Sequence, residues 1–199
     1  MKPRRSTAYI LLVLLIAVSM FLPAAGTALA AGPSDAEQAI VQARLTAVDR
    51  ALNWLASQQN PDGGFGLAGT SDWLSTTTAL QAFLARGRDA SLLRTSAGLS
   101  PADYLAAQAP ALPADSFAYA QYILASTALG EDPRAFAGQN WAARLISAML
   151  TSGQFPSTLA PAVEAQYTAI LALRVAYQPV PAAATAWLKS TVRPDGGWG

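Results

Sequence analysis

Three carboxylates, Asp72, Asp115 and Glu164, each stand at the opening of a stretch with helical character. Two of them facing each other across a groove about 5 to 10 Å wide would suit glycoside cleavage, one protonating the leaving oxygen and the other acting as nucleophile or base. The same residues also have a plainer use. An Asp just before a helix accepts bonds from free N–H groups and offsets the positive end of the helix dipole. Glu131-Asp132, the one adjacent acid pair, precedes Pro133 and reads as the cap of a helix that begins there.

The rest of the inventory narrows the chemistry further. The chain has no His and no Cys, which removes a Ser-His-Asp triad, a thiolate nucleophile, sulfur ligands and disulfides. Asp62-Gly63-Gly64 and Asp195-Gly196-Gly197 offer loop oxygens, but neither carries the alternating acids of a calcium loop. Gly63-Gly64 also lacks the strand-then-helix setting of a phosphate loop. The expectation is therefore no metal, no cofactor and no catalytic residue. Aromatic side chains are the other resource: Trp73, Phe83, Phe117, Tyr119, Tyr122, Tyr167 and Tyr177 lie on long helical stretches. Packing is their ordinary use, while a subset lining a cavity would suit an apolar ligand or a cation. Tyr119, Tyr122 and Tyr167, with Asp72 and Asp115, are the residues expected to face such a ligand.

What must position these side chains is a repeat. Residues 51–66 return as 184–199 with nine of sixteen positions identical, and a tenth, Phe65 against Trp198, keeps an aromatic ring. The offset is about three units of 44, a period that signals helical repeats. Each copy has a helix carrying Trp54 or Trp187, a Pro-Asp-Gly-Gly turn, then an aromatic followed by Gly. Pro stops the helix, Asp bonds the backbone ahead of it, and Gly supplies positive φ. The ring after the turn is expected to fold back onto the helix just left. Fainter copies lie between. Asp72 through Asp89 aligns with Asp115 through Asp132 at an offset of 43, each closing on a Gly, and Thr168 through Tyr177 follows Thr78 through Gly87 at 90, with Tyr in place of the closing Gly.

Arg50, Trp54, Leu55, Gln59, Gly63 and Phe65 resemble the QW motif of squalene and oxidosqualene cyclases and of protein prenyltransferase β subunits, with Phe for the final Trp. In the second copy Ala183 replaces the basic residue and Val192 the Gln, so the likeness rests on Trp187, Asp195, Gly196, Gly197 and Trp198. The resemblance implies an all-α fold, an α/α toroid of inner and outer helices, over residues 31–199. Its implied chemistry does not carry over. The prenyltransferase zinc site needs Cys and His, and the cyclase acid needs an Asp-x-Asp-Asp run that this chain lacks, as it lacks an Asp-Asp-x-x-Asp motif. A complete toroid of this kind also takes more helices than the chain supplies, and Gly199 follows directly on a turn that should launch the next one. The domain is expected to be incomplete at its C-terminal end.

Seven helices and no strand are read from the periodicity. Ser34 and Glu37 form a capping box, and Val41, Leu45, Val48, Leu52 and Leu55 then mark one apolar face. Ser100-Pro101 starts another helix, and Gly87 and Gly130 sit at C-caps. Lys2, Arg4 and Arg5 before the apolar run Tyr9–Leu22, with Ala28-Leu29-Ala30 after it, read as a signal peptide over residues 1–30. Without it the chain holds ten Lys and Arg against twelve Asp and Glu, which offers no basic surface to nucleic acid. The expected product is a secreted or cell-surface, noncatalytic toroid module. Its partner would be a small apolar ligand or a cell-surface protein, with membrane contact only through an uncleaved signal segment. The alternative is a terpene-cyclase-like lyase or isomerase whose catalytic residues lie outside this chain.

Overall fold

The computed structural model describes residues 34–198, and the signal segment read at residues 1–30 lies outside them. Among the described residues every regular element is a helix, as expected. There are seven α-helices: α1 (Asp35–Ser57), α2 (Trp73–Ala85), α3 (Pro101–Gln108), α4 (Ser116–Ala128), α5 (Trp141–Ser147), α6 (Ala162–Val175) and α7 (Ala182–Ser190). None is long and apolar enough to cross a membrane. The described residues up to Asp49 belong to one unit and those from Arg50 onward to a second.

In the first unit, Ser34 opens α1 through reciprocal bonds with Glu37. The Ser34 backbone N–H donates to the Glu37 carboxylate at 2.7 Å, and the Glu37 N–H donates to Ser34 Oγ at 3.3 Å. Of the apolar face read along this helix, Val41 and Val48 are exposed together with Ile40, and Leu45 is half-buried.

The second unit is built around α4. Twelve of its thirteen residues, all but Thr127, are buried, which is why it lacks an amphipathic stripe: a helix covered on all sides is apolar on all sides. Ala118, Ala120 and Ala125, fully buried, keep its surface low enough for helices to approach on both flanks. α2 packs on one flank and α6 on the other, while α3 packs against α2, α5 against α4, and α7 against α6. α2, α4 and α6 thus form one row, and α3, α5 and α7 each pack on the helix of that row that precedes it. Thr76 Oγ1 ties the start of α2 to the turn before it, donating to the Asp72 carbonyl at 2.7 Å and accepting from the Phe65 N–H at 2.9 Å.

The three helices of this row, α2, α4 and α6, end alike. The N–H groups of Arg88, Glu131 and Gln178 reach back to the carbonyls of Phe83, Ser126 and Leu173, while those of Gly87, Gly130 and Tyr177 bond Leu84, Thr127 and Arg174. These are Schellman closures, which need a left-handed residue. Gly87 and Gly130 supply it without strain, and Tyr177 adopts φ 55° at the place where the sequence alignment lacks its Gly.

The helix expected to start at Pro133 does not form. Residues 136–138 make one 3₁₀ turn with Ala137 and Gly138 at positive φ, and α5 begins only at Trp141, capped by Asn140. Asp132 is occupied locally: it accepts from the Arg134 backbone N–H at 2.9 Å and pairs with the Arg134 guanidinium at 2.8 Å.

Candidate functional site

The carboxylates singled out from the sequence are helix caps and first-turn acids. Asp72 accepts from the Ser75 N–H at 2.7 Å and is exposed. Asp115 is buried and fully engaged: it accepts from the Phe117 N–H at 2.8 Å, from Ser157 Oγ at 2.8 Å and from the Thr158 N–H at 2.7 Å. That clamp ties the start of α4 to the loop before α6. Glu164 does not open its helix. Pro161 holds the N-cap position, and Glu164 sits in the first turn. The paired-carboxylate groove needed for glycoside cleavage would require free acids facing one another, and two of these three are spent on backbone N–H groups. Asp103 is likewise absorbed by a capping box with Ser100, whose hydroxyl and backbone N–H hold the carboxyl below its usual range. Hydrogen bonds from Arg134 lower Asp132 to about 2. Among the described residues no three acids gather as metal ligands.

The aromatic residues divide into two groups. Tyr122 is wholly buried, its ring 4.9 Å from that of Trp141 and 6.4 Å from that of Trp73, and its hydroxyl donates to the Leu105 carbonyl at 3.2 Å. Burial pushes this phenol well above its ordinary pKa, with Tyr104 adding to the shift. A side chain so enclosed presents no surface to a ligand. Tyr119 is buried too, 6.1 Å from the Trp141 ring, and the Arg144 guanidinium lies over both rings. Tyr167 differs. It is 50% exposed, and Leu171 one turn on is 51% exposed.

Glu164, Tyr167, Leu171 and Arg174 follow one another at spacings of three and four and so share one face of α6. This stripe lies on a helix whose other side is buried through Ala165, Gln166, Thr168, Ala169, Ala172 and Leu173. It combines an aromatic, a branched aliphatic and a charge of each sign. Two shallow hollows of about 270 and 250 Å³ meet at Glu131 and Asp132, the second floored by Val175, Ala176 and Tyr177.

The Pro-Asp-Gly-Gly segments prove to be one turn used three times. At 60–64 the Asn60 N–H donates to the Gly64 carbonyl, the Gly63 N–H to Asn60, and the Gly64 N–H to Asp62 Oδ1. At 193–197 the same three bonds join Arg193, Gly197, Gly196 and Asp195. The third copy, at 150–154, has neither Pro nor Asp, yet Leu150 bonds Gln154, Gly153 bonds Leu150, and Ser152 Oγ takes the place of the carboxylate. It lies 90 residues after the first, the offset that also relates Thr78 to Thr168, and projecting Gly63 and Phe65 by that interval finds Gly153 and Phe155. Sequence comparison of the turns alone misses it.

Phe65 and Phe155, the rings after the first two turns, are 3% and 0% exposed. Each backbone N–H donates to a side chain eleven residues on, Phe65 to Thr76 and Phe155 to Gln166. Gln166, itself fully buried, also donates to the carbonyls of Gly153 and Ala184 and so joins the turn, α6 and α7. Gln59, the Gln of the motif, bonds the Gly63 carbonyl at 2.9 Å. Trp198 folds back as expected, its indole N–H donating to the Leu188 carbonyl at 3.0 Å, but it is 54% exposed. Trp54 is also exposed, and Trp187 is half-buried.

Comparison of the chain with protein-family models, with curated proteins and with solved structures finds no match.

Proposed function

We propose that this chain is an exported, noncatalytic helical-repeat module of the α/α-toroid kind that binds a protein partner at the cell surface. The observation that carries the reading is the α6 stripe, where Tyr167 and Leu171 stand half exposed beside Glu164 and Arg174 on a helix otherwise committed to the core. Adjacent exposed apolar side chains rimmed by charge suit a protein surface, since water gains by their burial and the charges fix orientation. A small apolar guest has less support, because Tyr119 and Tyr122 spend their rings on Trp141. The noncatalytic part of the reading is supported by Asp72 and Asp115, which spend carboxylate oxygens on backbone N–H groups at helix starts. The toroid itself rests on the motif resemblance and on the recurring turns and closures.

The test is capture of surface proteins from the native host by the intact chain, compared with a Tyr167→Ala/Leu171→Asp variant. The expected result is a protein retained by the wild type and reduced at least tenfold by the variant, at an unchanged unfolding midpoint. Equal retention by both chains, or no protein retained by either, overturns the reading.

A further inference from the structure

The closures of α2, α4 and α6 share one backbone geometry, and the third departs from the others in the residue at its left-handed position. A Cβ on Gly87 or Gly130 would meet nothing within 4 Å, although further helices follow both and pack on α2 and α4. This position therefore opens outward in the body of the row, where the chain continues beyond it. At the third closure it is taken by Tyr177, at φ 55° and 72% exposed. A bulky residue at positive φ carries a steric cost that glycine avoids. Core packing does not offset that cost here, because most of the ring is in water.

Tyr177 borders the hollow of about 250 Å³ between the end of α4 and the end of α6, together with Glu131, Asp132, Arg134 and Gln178. Two chemistries meet there. Tyr177 offers an aromatic face, and Glu131 an exposed carboxylate that no hydrogen bond or ion pair among the described residues engages. Asp132 differs, since the Arg134 guanidinium holds it and is itself occupied by doing so. A second guanidinium would satisfy both open groups at once, its plane lying on the phenol ring and its fork of N–H groups donating to Glu131. The adjoining hollow adds Asp103, so the surroundings hold three carboxylates against the one guanidinium of Arg134. We propose that this hollow receives an arginine side chain of the protein partner, with Tyr177 and Glu131 as the residues that bind it. The inference rests on the reading that the partner is a protein, and names what that protein presents. Neither hollow includes Tyr167 or Leu171, so this contact is separate from the α6 stripe.

Titration of the isotope-labelled full chain with the peptide Gly-Gly-Arg-Gly-Gly, blocked at both ends and read by amide chemical shifts, tests this. The expected result is saturable binding with shifts centred on Glu131, Asp132, Tyr177 and Gln178. The same peptide with citrulline, planar but uncharged, binds about tenfold more weakly. Tyr177→Gly and Glu131→Gln each weaken the arginine peptide about fivefold, while Tyr177→Phe, which keeps the ring, does not. Tyr177→Gly has an unfolding midpoint no lower than the wild type, because Gly87 and Gly130 hold the same closure. Glu131→Gln, at an exposed site, provides the second check. Absence of saturable binding overturns the proposal, as do equal affinity for the citrulline peptide and binding that both variants retain. Tyr167→Ala/Leu171→Asp leaves peptide binding intact, so loss of surface-protein capture with the peptide still bound counts against the α6 stripe and supports this hollow.

Discussion

The turns at 60–65 and 193–198 share Pro-Asp-Gly-Gly, an aromatic ring and three hydrogen bonds, yet Phe65 is buried and Trp198 stands half in water. The turn at 150–155 reverses the relation. It shares almost none of that sequence and is as thoroughly covered as the first. The shape of the turn thus survives a change of local composition, whereas burial follows from what comes next in space: α3 over the first turn, α7 over the second, and no described helix start over the last. Two energetic contributions are separable here, the conformation of the bend and the seal placed upon it.

Truncating the rings breaks or sustains that separation most directly. Phe155→Ala removes a fully buried side chain beneath a sealed turn and is expected to cost about 3–5 kcal/mol. Trp198→Ala removes a larger ring but one already hydrated on half its surface, together with one exposed hydrogen bond, so its cost is expected near 1 kcal/mol. Urea unfolding of the two variants against the wild type measures the contrast. Similar losses for both would mean that the last turn is sealed in solution.

The glycines sharpen the same comparison at a somewhat smaller scale. Gly153→Ala meets two penalties, the left-handed backbone at φ 88° and the overlap with Ala183, and is expected to cost about 3 kcal/mol in sum. Gly196→Ala meets only the first, because its surroundings are open, and about 1–2 kcal/mol is expected. Thermal unfolding of the pair gives the seal's contribution as the difference.

Much of this organisation was legible in the residues. The helical class, the caps at Ser34, Asp72, Ser100 and Asp115, and the closures at Gly87 and Gly130 follow from local chemistry that acts within one turn of the chain. Trp198 folding back onto the helix just left was legible for the same reason. What escaped has a different cause. Gly153 and Phe155 lack the Pro and Asp that advertise the other turns, because Ser152 replaces the carboxylate and Gln166 supplies the remaining bond from eleven residues away. At Pro133 the cap does form, with Asp132 accepting the Arg134 N–H, but the backbone turns left-handed at Ala137 and Gly138 and ends the helix before it is established, an outcome a capping rule does not weigh. Tyr122 and Tyr167 looked equivalent as aromatics on inner helices, and only packing distinguishes them: α4 is covered on two flanks, and the Tyr167 face of α6 is not.

The buried phenol offers the finest probe of the sealed region. Enclosure among Trp73, Trp141 and Leu105 makes the charged form of Tyr122 unfavourable, so its folded-state pKa lies above the ordinary value of 10. In the unfolded chain the phenol ionises at that ordinary value. The stabilisation is therefore complete below pH 10 and declines as pH rises beyond it toward the folded-state value, because the unfolded state releases its proton first. Tyr122→Phe is expected to flatten that alkaline decline while costing only about 1 kcal/mol at neutral pH. The Leu105 carbonyl is not orphaned by the change, since the Ala109 N–H also donates to it. Unfolding midpoints recorded from pH 8 to 11 for both chains measure the effect. An identical decline in the two would mean that water reaches the phenol, and that the seals over the first two turns do not keep the interior dry.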